Sequence, residues 1–204
     1  MRLSAILTLL TGLVLLLAGG CDRTPPLPKL SSDAVVLAFG DSLTFGSGAA
    51  PSEAYPAVLQ GLLGRRIVNA GVPGEVSAEG LARLPQLLEA NAPDLVILCH
   101  GGNDFLRRQP PSEVAANLRA MIELAHARGA AVVLVGVPQL GLTVQPPDFY
   151  AELAKEFALP YAGEILHDVL TDRALKSDTI HPNAAGYRRM AEALQQLIAR
   201  AQAR

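Results

Sequence analysis

Residues 34–39 form an unbroken apolar run that stops at Gly40-Asp41-Ser42. A run with no polar alternation has no face to give to water, so it reads as a strand covered on both sides, as in a parallel sheet. Similar runs follow at residues 66–69, 95–99 and 131–135, with a weaker one at residues 159–162. The segments between them carry apolar residues at helical spacing. The clearest starts at Ser112 as N-cap, places Val114, Leu118, Met121, Ile122 and Ala125 on one face and stops at Gly129. The last is capped by Asn183 and buries Tyr187, Met190, Ala191, Leu194 and Ile198. Strands alternating with helices imply an α/β fold with right-handed crossovers and a central parallel sheet of about five strands. In such a sheet, ligands bind beyond the carboxyl ends of the strands. There the sequence places Gly40-Asp41-Ser42-Leu43, residues 71–75 and Gly101-Gly102-Asn103-Asp104.

The amino terminus is of a different kind. Arg2 precedes a run from residue 6 to 18 broken only by Thr8, Thr11 and Gly12, followed by Gly19, Gly20 and Cys21. That is the layout of an export signal over residues 1–20, too short for the roughly 20 apolar residues that span a bilayer. Leu17-Ala18-Gly19-Gly20-Cys21 resembles a bacterial lipobox, which implies a lipid on Cys21 and a protein held on the periplasmic side of a membrane. Ala18 and Gly20 equally suit an ordinary signal-peptidase site, which would leave a soluble periplasmic protein. Residues 21–33, with Pro25, Pro26 and Pro28, read as an extended spacer ahead of a single domain from 34 to 204. The other cysteine, Cys99, ends a buried run and reads as a small packing residue. A formal net charge of -2 offers no electrostatic footing for nucleic acid.

Four blocks carry the chemistry. Phe39-Gly40-Asp41-Ser42-Leu43-Thr44-Phe45-Gly46, Asn69-Ala70-Gly71-Val72-Pro73-Gly74-Glu75, Gly101-Gly102-Asn103-Asp104 and Asp178-Thr179-Ile180-His181-Pro182-Asn183 follow one another along nearly the whole domain. In content and order they resemble the four blocks of the SGNH (GDSL) hydrolase family. The resemblance implies a three-layer, flavodoxin-like fold, no cofactor, and Ser42 as nucleophile with His181 oriented by Asp178. It also implies Ser42, Gly74 and Asn103 as oxyanion donors. The residue types support this independently: a serine hydroxyl needs a base, an imidazole changes charge near neutral pH, and a carboxylate must hold the imidazole's tautomer. No G-x-S-x-G elbow is present, which argues against the ordinary α/β-hydrolase fold.

The likeness is closest to the small exported branch of the family, which contains arylesterases, acyl-CoA thioesterases and lysophospholipases, and implies small-molecule or lipid acyl esters as substrates. That branch has a loop after the fourth strand that shapes an acyl groove. Here residues 136–150 take its place, with Leu140, Leu142, Val144 and Phe149 as expected lining, faced by Phe105 and Leu106. His126 and His167 fall on helical stretches, and His100 is positioned to line the site without a carboxylate at a spacing that would make it the base. Asp41 and Asp104 read as loop braces, and no residue cluster has metal-ligand spacing. Two alternatives stay open: a carbohydrate O-deacetylase of the same family, and a lipid-anchored binding protein on an inactive scaffold.

Overall fold

A computed structural model describes residues 24–139 and 144–203. The expected signal peptide, Cys21, Leu140 and Leu142 lie outside the described residues.

Five strands, β1 (Val35–Gly40), β2 (Arg66–Gly71), β3 (Leu95–Cys99), β4 (Ala131–Val135) and β5 (Tyr161–Ala162), pair in the order β2-β1-β3-β4-β5. All four pairings are parallel, which is the flavodoxin-like arrangement. The uninterrupted apolar runs have become the central strands: β3 is buried at every residue and β1 at all but Val35. β2 runs two residues further than its apolar run, because Phe39 and Gly40 continue the ladder opposite Ala70 and Gly71. β5 is shorter than expected, since Leu159 and Pro160 precede the ladder and only two residues pair with β4.

The helices are α1 (Ser42–Phe45), α2 (Tyr55–Leu63), α3 (Ser77–Asn91), α4 (Gly102–Leu106), α5 (Pro111–Ala127), α6 (Phe149–Glu156), α7 (Ile165–Thr171) and α8 (Ala184–Gln202). α3 packs with α5, while α2 and α7 pack with α8. The expected apolar stripe of α5 is buried as a set, but its N-cap is Pro110 rather than Ser112. Pro111 at the first helical position loses nothing by lacking an N–H, since that amide has no acceptor within the helix. Asn183 caps α8 as expected, accepting the Gly186 N–H at 3.0 Å.

The proline-rich stretch, expected as an extended spacer, is irregular as a spacer would be but lies docked on the domain. From Thr24 it has no regular secondary structure, yet Leu27 is only 8% exposed and joins the core. Its N–H donates to Ala201 O at 2.9 Å, and Gln202 Nε2 donates to Pro28 O at 2.8 Å. Arg65 Nη2 donates to Leu30 O at 3.3 Å. The packed body therefore begins ahead of Ala34: two leucines among the prolines supply apolar area, and the stretch offers carbonyls as acceptors. It docks where α8 ends, whereas α8 begins beside His181. With 19 residues at 1.5 Å each, the two points are about 28 Å apart.

Candidate active site

β1 delivers the chain to Asp41, whose side chain is almost fully buried and whose Oδ1 accepts the Leu43 N–H at 3.0 Å. This caps α1 and presents Ser42 as its first residue. Burial pushes the Asp41 carboxyl above its usual range, against the opposing pull of His100, the Leu43 N–H and His181.

Ser42 Oγ lies 3.0 Å from His181 Nε2, and His181 Nδ1 lies 2.8 Å from Asp178 Oδ2. A carboxylate only accepts, so the proton belongs on Nδ1 and Nε2 is left bare toward the serine hydroxyl, a tautomer assigned from the bonding network. Asp178 Oδ1 also accepts the Ile180 N–H at 2.7 Å and the His181 N–H at 2.8 Å. Partial burial works to raise the Asp178 carboxyl, but these donors overcome it and hold it below the usual range. The turn is closed by Ser177 N donating to His181 O at 2.9 Å and by a bridge between Lys176 and Pro182. A single local turn thus presents both residues to Ser42, which arrives from the other end of the chain.

α4 carries Asn103, whose Nδ2 donates to Glu75 O at 3.0 Å and makes a longer contact with Asp41 Oδ2 at 3.3 Å. Asp104 behaves as the expected brace: fully buried, it accepts from Ser77 N at 2.8 Å and Ser77 Oγ at 2.6 Å, fastening α4 to the start of α3. Gly74 has φ +80 and open space where a side chain would stand, and its carbonyl accepts from Arg107 Nη2 at 2.8 Å.

A cleft enclosing about 540 Å³, open solvent at its mouth included, runs past Ser42, Asn103 and His181. Phe105 and Leu106 stand in its wall. Gly74, Val144 and Phe149 are not among the residues that line it. Phe149 opens α6 and stacks on Tyr150, with ring centroids 4.5 Å apart, and its ring centroid is 6.3 Å from that of Phe105, which does line the cleft. The Val144 carbonyl is held by His167 Nδ1 at 2.6 Å. The wall contains Leu43, Val137, Pro138, Leu170 and Ile180 instead, which the motifs did not single out apart from two block positions.

His100 does not line the cleft. It is fully buried behind it, with Nε2 on the carboxylate of Glu75, and Arg83 completes an ion pair there. Burial alone would raise the Glu75 carboxyl, but hydrogen bonds from His100 and Arg83 hold it down at about 2. Glu75 ends a block, but Arg83 lies in none, so only its helical placement eight residues on could have signalled the contact. His126 is exposed, its ring edge-on to Phe157. Among the described residues no His, Cys, Asp and Glu cluster of three or more is arranged to hold a metal ion.

The model of the GDSL-like lipase/acylhydrolase family matches residues 38–189. Esterase TesA of Pseudomonas aeruginosa is 32% identical over 194 residues, covering 87% of this chain and 94% of that protein. Thioesterase 1/protease 1/lysophospholipase L1 of Escherichia coli K12 is 34% identical over 156 residues, covering 72% of this chain and 75% of that protein. A crystal structure of TesA superposes with a TM-score of 0.72 at 32% identity, covering 80% of this chain and 97% of that one.

Proposed function

This chain belongs to the GDSL-like lipase/acylhydrolase family and is a hydrolase of ester bonds, and on that premise we propose that Ser42, His181 and Asp178 carry the reaction through an acyl-enzyme. The observation that carries the proposal is the unbroken chain of contacts, 3.0 Å from Ser42 Oγ to His181 Nε2 and 2.8 Å from His181 Nδ1 to Asp178.

Ser42 Oγ attacks the acyl carbon as its proton passes to His181 Nε2, and Asp178 stabilises the imidazolium that forms. The carbonyl oxygen becomes an oxyanion, to which we assign the N–H of Ser42, the N–H of Gly74 and the amide of Asn103. Ser42 opens α1, so its N–H has no acceptor within the helix. One hydrogen of Asn103 Nδ2 is committed to Glu75 O, while the other makes only the longer contact with Asp41, so the oxyanion can claim it. The alcohol or thiol leaves with the proton from His181. Water then attacks the acyl-serine with His181 as base, releasing the carboxylic acid and restoring Ser42.

The wall of Leu43, Phe105, Leu106, Val137, Leu170 and Ile180 is apolar and suits an acyl chain, which favours small-molecule or lipid acyl esters over acetylated carbohydrate. We further propose that residues 1–20 direct export and that a lipid on Cys21 holds the enzyme on the periplasmic side of a membrane. Mass spectrometry of the protein from membranes should find a diacylglyceryl-modified Cys21, and an unmodified thiol there would count against the anchor.

Ser42→Ala should abolish hydrolysis of p-nitrophenyl esters from acetate to palmitate and labelling by a fluorophosphonate, with the melting temperature preserved. Activity above about a tenth of wild type in that variant would overturn the assignment. A wild-type chain that neither hydrolyses nor labels would instead be a binding protein on this scaffold.

A further inference from the structure

Two of the three proposed oxyanion donors come from loops that the sheet does not hold together. Gly74 follows β2 and Asn103 follows β3, and in the order β2-β1-β3 these strands are not neighbours, because β1 lies between them. No ladder hydrogen bond can set the distance between the two loops, so side chains must reach across the end of β1.

The buried cluster behind the cleft makes one such crossing, beside those of Arg107 to Gly74 O and of Asp104 to Ser77. The carboxylate of Glu75 accepts from Arg83 Nε at 2.7 Å and Nη2 at 2.6 Å, and it meets His100 Nε2 at 3.0 Å. Arg83 Nη2 also donates to Ala70 O at 3.1 Å on β2, and its guanidinium lies 4.4 Å from the centroid of the Phe39 ring on β1. His100 Nδ1 accepts the Gly101 N–H at 3.0 Å. An amide N–H only donates, so Nδ1 is bare and the imidazole proton sits on Nε2, aimed at Glu75. One ring thereby joins the loop of Gly101–Asn103 to the loop of Gly74–Glu75. Gly80 on α3 makes room, since a Cβ there would fall 2.5 Å from His100 Nε2 and 3.3 Å from Glu75 Oε2. The join ends at the donors themselves: the carbonyl of Glu75 orients the Asn103 amide, and the Gly74 N–H lies two peptides back along the same short loop.

We propose that Glu75 and His100 are positioning residues for ester hydrolysis, which fix the spacing between the Gly74 and Asn103 donors by tying their two loops together across β1. The inference rests on the donor assignment made above. A charge buried this fully persists only with every partner in place, which makes the join stiff. Glu75→Gln loosens it: His100 Nε2 and Arg83 Nη2 meet the same oxygen, Oε2, while Arg83 Nε donates to Oε1, so an amide that keeps its oxygen on the first two sets its NH2 against the Arg83 Nε–H and loses the ion pair that holds the side chain in place. His100→Asn breaks it from the other side: its amide oxygen can still take the Gly101 N–H, but the side chain stops short of Glu75 and leaves the Glu75–Arg83 pair intact.

The experiment measures kcat and KM on p-nitrophenyl butyrate for the full chain, below each variant's melting temperature, with Ser42→Ala and Asn103→Ala in parallel. Glu75→Gln and His100→Asn should each lower kcat by about 10- to 100-fold with KM changed less than about threefold, as for misplacement of groups that act in the transition state. In the Asn103→Ala background the same substitutions should cost less than in wild type, because part of what they misplace is already gone. A kcat within about threefold of wild type, or losses that multiply fully with that of Asn103→Ala, would overturn the proposal while a dead Ser42→Ala still upheld the site. An active Ser42→Ala would overturn the site assignment itself. Should Glu75→Gln fail to fold, His100→Asn carries the same test, since it preserves the ion pair.

Discussion

Replacing Asp178 with asparagine changes one atom's chemistry and should disable the enzyme with little effect on its fold. Asp178 Oδ1 accepts two backbone N–H groups, from Ile180 at 2.7 Å and His181 at 2.8 Å, while Oδ2 faces His181 Nδ1 at 2.8 Å. An asparagine keeps its single oxygen on the two backbone donors, because the opposite flip would aim an NH2 at both of them. The NH2 then faces Nδ1, and the imidazole answers by moving its proton to Nε2. That nitrogen now points an N–H at Ser42 Oγ and can no longer take the serine proton. A wrong-tautomer histidine costs about 10⁴ in kcat in serine hydrolases of the triad type, or about 5 kcal/mol of barrier. Stability should move little, since the side chain is 54% exposed and its charge is screened by water. Steady-state kcat on p-nitrophenyl butyrate, paired with thermal melts followed by circular dichroism, separates the two effects. If Asp178→Asn kept more than about a tenth of wild-type kcat, the imidazole would not be depending on this carboxylate for its tautomer, and the reasoning would fail.

Asn103→Ala should lower kcat about 10²- to 10³-fold with KM nearly unchanged, because the oxyanion exists only in the transition state; a destabilised but fully active variant would remove Asn103 from the oxyanion site. Glu75 has its carboxyl depressed from 4.5 to about 2 in the folded protein, so its contribution is fully present above the unfolded value and is lost as pH falls toward 2. Urea denaturation at pH 6 and pH 2.5 should therefore show wild type losing up to about 3 kcal/mol more than Glu75→Gln over that interval, and equal losses in the two proteins would contradict the depressed carboxyl. Leu27→Ala should cost about 2 kcal/mol in urea denaturation at unchanged kcat, and an unshifted midpoint would mean that the docked amino-terminal stretch contributes nothing to the fold.

What the sequence revealed and what it concealed divide along the distance over which a signal acts. The buried strands were legible in residues 34–39 and 95–99 because a two-sided environment leaves no polar position in the run. Asp178 and His181 were legible because three residues close one turn, so their relation is local. The Glu75–Arg83–His100 cluster was not, since it joins residues from two loops and a helix, and the packing of α3 on the sheet decides which of its side chains points inward. Leu170 and Val137 entered the cleft wall for the same reason: their place depends on how α7 and the end of β4 come together. The prolines of the amino-terminal stretch signal an irregular extended chain, but composition says nothing of where such a chain lies, so the burial of Leu27 leaves no mark in the sequence.

That docking has a practical side. Leu27 and Ala201 are hydrogen-bonded neighbours, so both ends of the described chain lie near the foot of α8, while His181 in the cleft wall lies beside its head, about 28 Å away. A carrier coupled at either end of the described chain would therefore be attached about a helix length away from Ser42 and His181.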